Sequence, residues 1–114
     1  MRKGRRVLKP SKIIFENEEL KGAYEGLPAT DILKKRIDRV IENIKENAFY
    51  GEPISKKLIP TIYKKKGFTN AFWVSLGKEW RLIYSVTSLN KIEILAIILE
   101  WFTNHKDYEK RFGY

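Results

Sequence analysis

The sequence predicts one α+β domain, in which a short N-terminal strand and two helices precede an antiparallel sheet of three to four strands. A chain of 114 residues has the length of a single domain with one modest core. Two helix-like segments occupy the first half, and three apolar runs separated by short turns follow them. Such runs are typical of an antiparallel meander. We therefore expect one domain over residues 1–114, with residues 1–11 as a basic arm.

The first elements are a short strand and a helix. The segment 12–15, Lys-Ile-Ile-Phe, has strand character. Asn17 is a favourable N-cap, and Glu18 and Glu19 lie near the positive end of the macrodipole of the helix that follows. Gly26 and Pro28 mark its end.

The second helix is predicted to begin after Thr30 or Asp31, which can cap it, and to extend to about Asn47. Its apolar positions recur at the i, i+4, i+7, i+8 spacing of one buried stripe. They are Leu33, Ile37, Val40, Ile41 and Ile44. We expect the last four to pack on one face of the sheet, where they contact Leu82, Tyr84 and Ile94. A register slip of one residue would reverse which strand side chains are buried.

Three strand-like runs, 72–76, 79–86 and 92–99, are joined by turns at 77–78 and 89–91. Before this sheet, Gly51, Pro53 and Pro60 mark the connection from the helices. The middle run contains Arg81 within an otherwise apolar sequence. A permanent cation there needs water, a carboxylate partner or an anionic ligand. Arg81 is therefore either half of a structural ion pair or a group that binds an anion such as phosphate.

The net charge of +9 is concentrated in two segments. The first twelve residues hold six basic side chains and no acid: Arg2, Lys3, Arg5, Arg6, Lys9 and Lys12. A second acid-free block contains Lys56, Lys57, Lys64, Lys65 and Lys66. Localised positive charge favours a polyanionic partner. The simpler alternatives are a solvated, disordered arm and a solvated loop.

Composition excludes several classes of protein. The chain has no Cys and one His, so disulfides and a protein zinc site are not expected, and no cofactor is predicted. The N-terminus lacks the apolar stretch of a signal peptide, and the longest apolar run is too short to cross a bilayer. We expect a cytoplasmic protein that does not bind membranes.

The C-terminal tail contains two further candidates for chemistry, His105 and Tyr108. The unperturbed pKa of histidine lies near neutrality, which suits acid–base catalysis. The alternative is a surface histidine followed by a packing tyrosine. Trp73 and Trp101 are similarly either core residues or platforms on which bases stack.

The order of these features resembles the RelE/ParE superfamily, the toxins of type II toxin–antitoxin systems, and is nearest to its RelE/YoeB branch. The resemblance extends from about residue 12 to residue 114. It depends on the strand sequence "WRLIYSV" around Arg81 and on the tail "NHKDYEKRFGY". It implies a ribosome-dependent endoribonuclease that cleaves mRNA by attack of the RNA 2′-hydroxyl, without a metal, and that inhibits translation. The partners that it implies are the ribosome with its mRNA and a cognate antitoxin protein.

The resemblance also assigns roles to residues. Arg81 matches the strand arginine that stabilises the transition state, and His105 and Tyr108 match the C-terminal acid–base and orienting residues. Glu52 matches a general-base glutamate, although the alignment there is ambiguous by one or two residues. The basic residues expected at the RNA are Lys56, Lys57, Lys64, Lys65, Lys66 and Lys106.

Two other functions remain open. The ParE branch shares the fold and inhibits DNA gyrase, so fold alone does not decide the target. A non-catalytic RNA-binding module would use the same basic patches, with tryptophans as stacking platforms. The basic arm and the residues after Tyr108 extend beyond the minimal toxins, which fits a specialised or inactive member.

Overall fold

The elements follow one another as helices and then sheet, in a computed structural model that describes residues 8–113. The strands and helices are β1 (Ser11–Phe15), α1 (Glu18–Glu25), α2 (Ile32–Glu46), β2 (Glu52–Pro53), α3 (Thr61–Lys65), β3 (Phe72–Gly77), β4 (Trp80–Ser88), β5 (Ile94–Phe102) and α4 (His105–Phe112). A 3₁₀ turn, Lys56–Leu58, lies between β2 and α3. The α+β class is confirmed.

Both predicted helix starts are correct because the expected side chains cap them. The Asn17 side chain accepts a hydrogen bond from the backbone N–H of Leu20 at 2.8 Å. The Asp31 side chain accepts one from the N–H of Leu33, also at 2.8 Å. Asp31, rather than Thr30, is therefore the N-cap of α2. Each carboxyl or amide oxygen satisfies a donor that has no partner within the helix.

The sheet differs from the prediction in strand number and direction. It has five strands in the order β1-β5-β4-β3-β2. The outer strand β1 is parallel to β5, and the other pairings are antiparallel. The expectation of an antiparallel sheet of three to four strands was therefore wrong. Sequence periodicity does not give strand direction, and the two residues of β2 are too few to show a period of two.

One face of the sheet, the α2 face, carries the main core. Ile37, Val40, Ile41 and Ile44 of α2 are buried there together with Leu82, Tyr84 and Val86 of β4, and Ile94 packs against them. The predicted stripe and its partners are confirmed. Fully burying an aliphatic side chain of this size contributes roughly 1.5–3 kcal/mol, so this face dominates the stability of the domain.

The opposite face, the α4 face, carries a smaller core beneath the C-terminal helix. Tyr108 and Phe112 of α4 pack there with Ile83, Leu99 and Phe102 of the sheet. A β-bulge contributes to this arrangement, because Ile83 lies opposite Glu100 and Tyr84 lies opposite Ile98, which leaves Leu99 unpaired. The side chains of Leu99 and Glu100 therefore both lie on the α4 face. There, Glu100 forms an ion pair with Arg111 of α4, with 2.8 Å between the nitrogen and the carboxylate oxygen.

The connection between α2 and β3 is held by Tyr84. Its hydroxyl donates to the carbonyl of Ala48 and accepts from the N–H of Gly51, both at 2.8 Å. Gly51 passes so close to β3 that a Cβ there would be 2.9 Å from the Trp73 carbonyl oxygen. A larger residue would push the connection away from the sheet.

The helix α4 occupies the tail that contains His105 and Tyr108. Asn104 caps it by accepting from the N–H of Asp107 at 2.8 Å, and Gly113 ends it in a left-handed conformation with φ of 76°. Among residues 8–113, no helix is both long and apolar enough to cross a membrane.

Candidate functional site on the α4 face

Arg81 lies on the α4 face because of its register in the sheet. It pairs with Ser75 of β3 and with Phe102 of β5, and directly opposed residues of antiparallel strands direct their side chains to the same face. Its guanidinium carbon is 4.3 Å from the centroid of the Trp73 ring and 4.8 Å from that of Tyr108. Two aromatic rings thus hold the planar guanidinium in one place.

The charge of Arg81 is not compensated by an acid. No carboxylate in the part of the chain described, residues 8–113, lies within 4.0 Å of its guanidinium. Glu93, a candidate partner for a structural pair, instead binds Lys12 at 2.9 Å. The hydrogen bonds from Lys12 and Asn90 lower the pKa of Glu93. The interpretation of Arg81 as half of a structural ion pair is therefore wrong for residues 8–113, and the interpretation as an anion-binding group stays open.

Tyr108 is a packing residue that supports Arg81. Its side chain is 6% exposed, and its ring contacts Phe102 edge-on and Phe112 face-on, with centroid distances of 5.7 and 4.7 Å. This burial favours a positioning role over proton transfer with a substrate. Its ring also faces that of His105, with the centroids 6.3 Å apart and the planes 23° from parallel.

His105 is exposed at the first position of α4. Its Nε2 atom is 3.0 Å from a carboxylate oxygen of Glu109, one turn later in the helix. This contact orients the imidazole, as carboxylates do for catalytic histidines. Because its ring stacks on Tyr108, His105 continues the row of planar groups that starts at Trp73 and Arg81.

Glu52 lies at the other end of that row. It is exposed and is paired with Trp73 across β2 and β3, so its carboxylate is on the α4 face. Strand spacing of 4.8 Å and a rise of 3.3 Å per residue place its Cα about 12 Å from that of Arg81. The face therefore presents Glu52, then Trp73, Arg81 and Tyr108, and finally His105. An anion at Arg81 would have one titratable group on each side.

The predicted RNA-binding lysines do not form one patch. Lys57 lines an open groove of about 420 Å³ together with Lys110 and Arg111, at the C-terminal end of α4. Lys66 forms an ion pair with Glu16 at 3.0 Å. The other members are exposed and make no ion pair within residues 8–113: Lys56, Lys64, Lys65 and Lys106.

The basic arm is only partly described. Arg2, Lys3, Arg5 and Arg6 lie outside the described residues. Lys12 is part of β1, and its ion pair with Glu93 means that it does not contribute an uncompensated charge.

Sequence reasoning missed the contact between Trp73 and Arg81. A regular hairpin with a two-residue loop would place Arg81 opposite Leu76, whose side chain is buried on the α2 face. Instead, Gly77 pairs with Trp80 and Ser75 pairs with Arg81, so Leu76 is an extra residue in a bulge. Alternation along β4 already places Arg81 on the face opposite Leu82 and Tyr84, and the bulge places Trp73 and Ser75, rather than Val74 and Leu76, on that same face. Gly77, a common residue at bulges, was the signal for it.

Among residues 8–113, no cluster of three or more His, Asp or Glu side chains is arranged to hold a metal ion. Comparison of the chain with protein-family models, with curated proteins and with solved structures finds no match.

Proposed function

We propose that this protein is a toxin of the RelE/ParE superfamily that cleaves mRNA on the ribosome and inhibits translation. The observation that carries the proposal is the guanidinium of Arg81, held between Trp73 and Tyr108 without a carboxylate partner in residues 8–113. A rigid, uncompensated cation suits a reaction in which negative charge develops on a phosphate.

The reaction is an intramolecular transfer of the phosphoryl group. The 2′-oxygen of a ribose attacks the adjacent phosphorus, and the bond from phosphorus to the 5′-oxygen of the next nucleotide breaks. The proton of the 2′-hydroxyl passes to a base, and the leaving 5′-oxygen receives a proton from an acid. The products are a 2′,3′-cyclic phosphate and a 5′-hydroxyl, so the step requires no oxidant or reductant.

The residues of the α4 face divide these tasks. Arg81 stabilises the pentacoordinate transition state more than the ground state, which is the requirement for catalysis. Glu52 and His105 flank it and supply the groups that remove and deliver protons. Trp73 and Tyr108 are positioning residues, because they hold the guanidinium but carry no proton in the reaction.

The partners follow from charge. A protein with a net charge of +9 is attracted to ribosomal RNA and to an acidic partner protein. We propose the ribosome with mRNA as the target and a cognate antitoxin as the neutralising partner, in the cytoplasm.

A non-catalytic RNA-binding module is the second candidate. The burial of Tyr108 and the contact between His105 and Glu109 favour it, since both reduce the number of groups free to transfer protons. In that case Arg81 would bind a phosphate without activating it.

Cleavage by purified full-length protein tests the proposal. Programmed ribosomes are incubated with the protein, and the mRNA ends are mapped and analysed chemically. Arg81→Ala should lower the cleavage rate about a hundredfold or more. Arg81→Lys should recover only part of it, because an ammonium keeps the charge but not the planar stack. Lys91→Ala, in the exposed turn at the opposite end of β4 from Arg81, is the control and should cleave normally.

The outcomes separate the candidates. Cyclic phosphate ends that depend on Arg81 support the endoribonuclease. Binding to ribosomes without cleavage by the unaltered protein would favour the RNA-binding module, and inhibition of gyrase would favour the ParE alternative. Ends with a 3′-hydroxyl and a 5′-phosphate would contradict attack by the 2′-hydroxyl.

A further inference from the structure

A second group of cations and aromatic side chains lies at the outer edge of β3, on the side of α2. An open groove of about 300 Å³ is lined there by Arg36 and Arg39 of α2, by Tyr50 and by Ser75. Beside the groove lie Lys78, in the turn from β3 to β4, and Trp80, the first residue of β4. We call this group the β3-edge patch: Arg36, Arg39, Tyr50, Lys78 and Trp80. None of its members was among the residues predicted to function.

The patch exists because β2 is short. Its two residues pair only with Phe72 and Trp73, so the rest of β3 has no strand on its outer side within residues 8–113. Arg36 occupies this space, and its guanidinium donates to the carbonyl of Leu76 at 3.1 Å. Gly77, with φ of 92°, permits the approach, since a Cβ there would be 2.6 Å from Arg36 Nη1. Arg36 is therefore ordered before any ligand binds.

The patch has positive charge that is not compensated. Within residues 8–113, no carboxylate lies within 4.0 Å of Arg36, Arg39 or Lys78. The guanidinium of Arg36 and the ammonium of Lys78 both approach the Trp80 ring, at 5.4 and 5.2 Å from its centroid. Neither cation is neutralised there, so an anion that approaches the Trp80 ring would be attracted by both.

The aromatic side chains indicate which anion fits. Tyr50 lines the groove and is 47% exposed, which leaves ring surface on which a base can stack. A positive groove with exposed aromatic rings is the usual design for single-stranded nucleic acid. A phosphate ion alone would not use the tyrosine ring, and a duplex would keep its bases stacked inside.

The groove meets the Arg81 face at one residue, Ser75. Ser75 lines the groove and pairs with Arg81, so the Cα atoms of Ser75 and Arg81 are about 5 Å apart. A strand that crosses the edge of β3 at Ser75 would extend from the patch to Arg81.

We propose that the β3-edge patch binds a segment of single-stranded RNA, with its phosphates on Arg36, Arg39 and Lys78 and a base on Tyr50. The choice of RNA over DNA rests on the proposed function, whereas binding of a single strand does not.

Fluorescence anisotropy with a labelled, unstructured oligouridine of about ten nucleotides measures this binding at several salt concentrations. The test variant is Arg39→Gln/Lys78→Gln, in which both side chains are exposed. It should weaken binding about tenfold and reduce the salt slope of log K by about 1.4, the value for two phosphate contacts on a single strand. The matched control is Lys21→Gln/Lys91→Gln, which removes the same charge elsewhere. Equal losses of affinity in the two variants would contradict the proposal that RNA binds at the β3-edge patch.

Tyr50→Ala tests the base contact. It should weaken binding to oligouridine about fivefold or more and leave binding to inorganic polyphosphate, which has no bases, unchanged. Equal losses for both ligands would overturn the stacking contact. The same oligonucleotide with deoxyribose distinguishes the two sources of a single strand, and equal affinity would overturn the choice of RNA.

Binding and cleavage measured side by side, for the unaltered protein, Arg81→Ala and the patch variants, separate this inference from the proposed function. If RNA binding depends on the patch but the unaltered protein does not cleave, the result supports the patch and contradicts the endoribonuclease. If cleavage depends on Arg81 but is the same in the patch variants, at both low and high RNA concentration, the result contradicts RNA binding at the patch and supports the endoribonuclease.

Discussion

The two faces of the sheet differ in how completely a helix covers them. On the α2 face, a helix of 15 residues, about 22 Å long, covers side chains such as Leu82 and Tyr84 that are 0% exposed. On the α4 face, a helix of eight residues, about 12 Å long, covers strands of nine residues, about 30 Å long. Ile59 and Tyr63 of the segment between β2 and β3 add to this cover, and Ser75, towards the end of β3, remains exposed.

This difference separates stability from chemistry. The core of the α2 face, between α2 and the sheet, is almost entirely apolar, so substitutions in that core should act on the free energy of unfolding. The α4 face mixes apolar contacts with Arg81, Glu100 and Arg111, and these three charged side chains are partly exposed to water. Substitutions of those groups should change function or pH dependence more than stability.

The largest expected effect is on the α2 face. Ile44→Ala removes most of a side chain that is 0% exposed and should lower the free energy of unfolding by about 2–5 kcal/mol. Ile97→Ala, at a half-buried position that packs on the α4 face, is the matched comparison and should cost less than half as much. Urea denaturation measures both. A larger loss for Ile97→Ala would contradict the assignment of the main core.

Tyr84→Phe tests the anchor of the connection that begins at Ala48. The substitution keeps the ring in the core but leaves the Ala48 carbonyl and the Gly51 N–H without their partner. We expect a loss of roughly 1–3 kcal/mol, the usual effect of unsatisfied buried groups. Denaturation measures the loss, and hydrogen exchange should show that the amide of Gly51 becomes less protected. Unchanged protection at Gly51 would show that the hydroxyl does not hold the connection.

Alkaline pH should destabilise the protein through Tyr63, beneath α4. Its hydroxyl is buried and makes no hydrogen bond within residues 8–113. Burial raises the pKa of Tyr63 well above its usual range, and the Glu100 carboxylate adds to the shift although their contact lacks hydrogen-bond geometry. Below pH 10 both folded and unfolded chains keep this proton. Above pH 10 only the unfolded chain releases it, so the free energy of unfolding falls as pH rises.

The measurement is the free energy of unfolding between pH 9 and pH 12, in the unaltered protein and in Tyr63→Phe. Each such tyrosine contributes a slope of at most about 1.4 kcal/mol per pH unit. Tyr24 and Tyr84, whose pKa values burial raises to about 12, add to the slope in both proteins. Tyr63→Phe should reduce it, and identical slopes would show that the hydroxyl reaches water.

The smallest effect is expected for the ion pair between Glu100 and Arg111. Its side chains are 21% and 36% exposed, respectively, so water screens the attraction. A double-mutant cycle with Glu100→Gln and Arg111→Gln should give a coupling of about 0.2–1 kcal/mol. A coupling above about 2 kcal/mol would mean that the pair is effectively buried. In that case the α4 face would shield its side chains from water nearly as well as the α2 face does.

The first two helices could be predicted because their signals are local, whereas α3 and α4 were not predicted as helices. The cap at Asn17, the cap at Asp31 and the stripe through Ile44 each involve residues within a few turns of one another, and all three appear in the structure. The three long strands were also found, since each is a run of apolar residues bounded by a turn. The ends of β4 and β5 extend beyond the predicted runs because pairing with neighbours prolongs a strand past its apolar part.

The parallel pairing of β1 and the two-residue strand β2 could not be predicted in this way. Both depend on residues distant in the chain: Ser11 pairs with Ile94, and Glu52 pairs with Trp73. The ion pairs that remove Lys12 and Lys66 from the predicted basic patches are equally remote in sequence. A count of charges along the chain does not reveal such partners.

The chain alone determined the first two helices, the three main strands and the presence of a cation, Arg81, in an apolar strand, but not α3 and α4. The predicted burial of Leu82 and Tyr84 against α2 also implies, by alternation, that Arg81 lies on the opposite face. The tertiary structure decided which β3 side chains share that face. One extra residue, Leu76, shifts the register between β3 and β4, and because strand side chains alternate with a period of two, this shift brings Trp73 rather than Val74 to the face of Arg81. Gly77 is only a weak local signal for this register, because the two registers differ in energy through packing on both faces of the completed sheet.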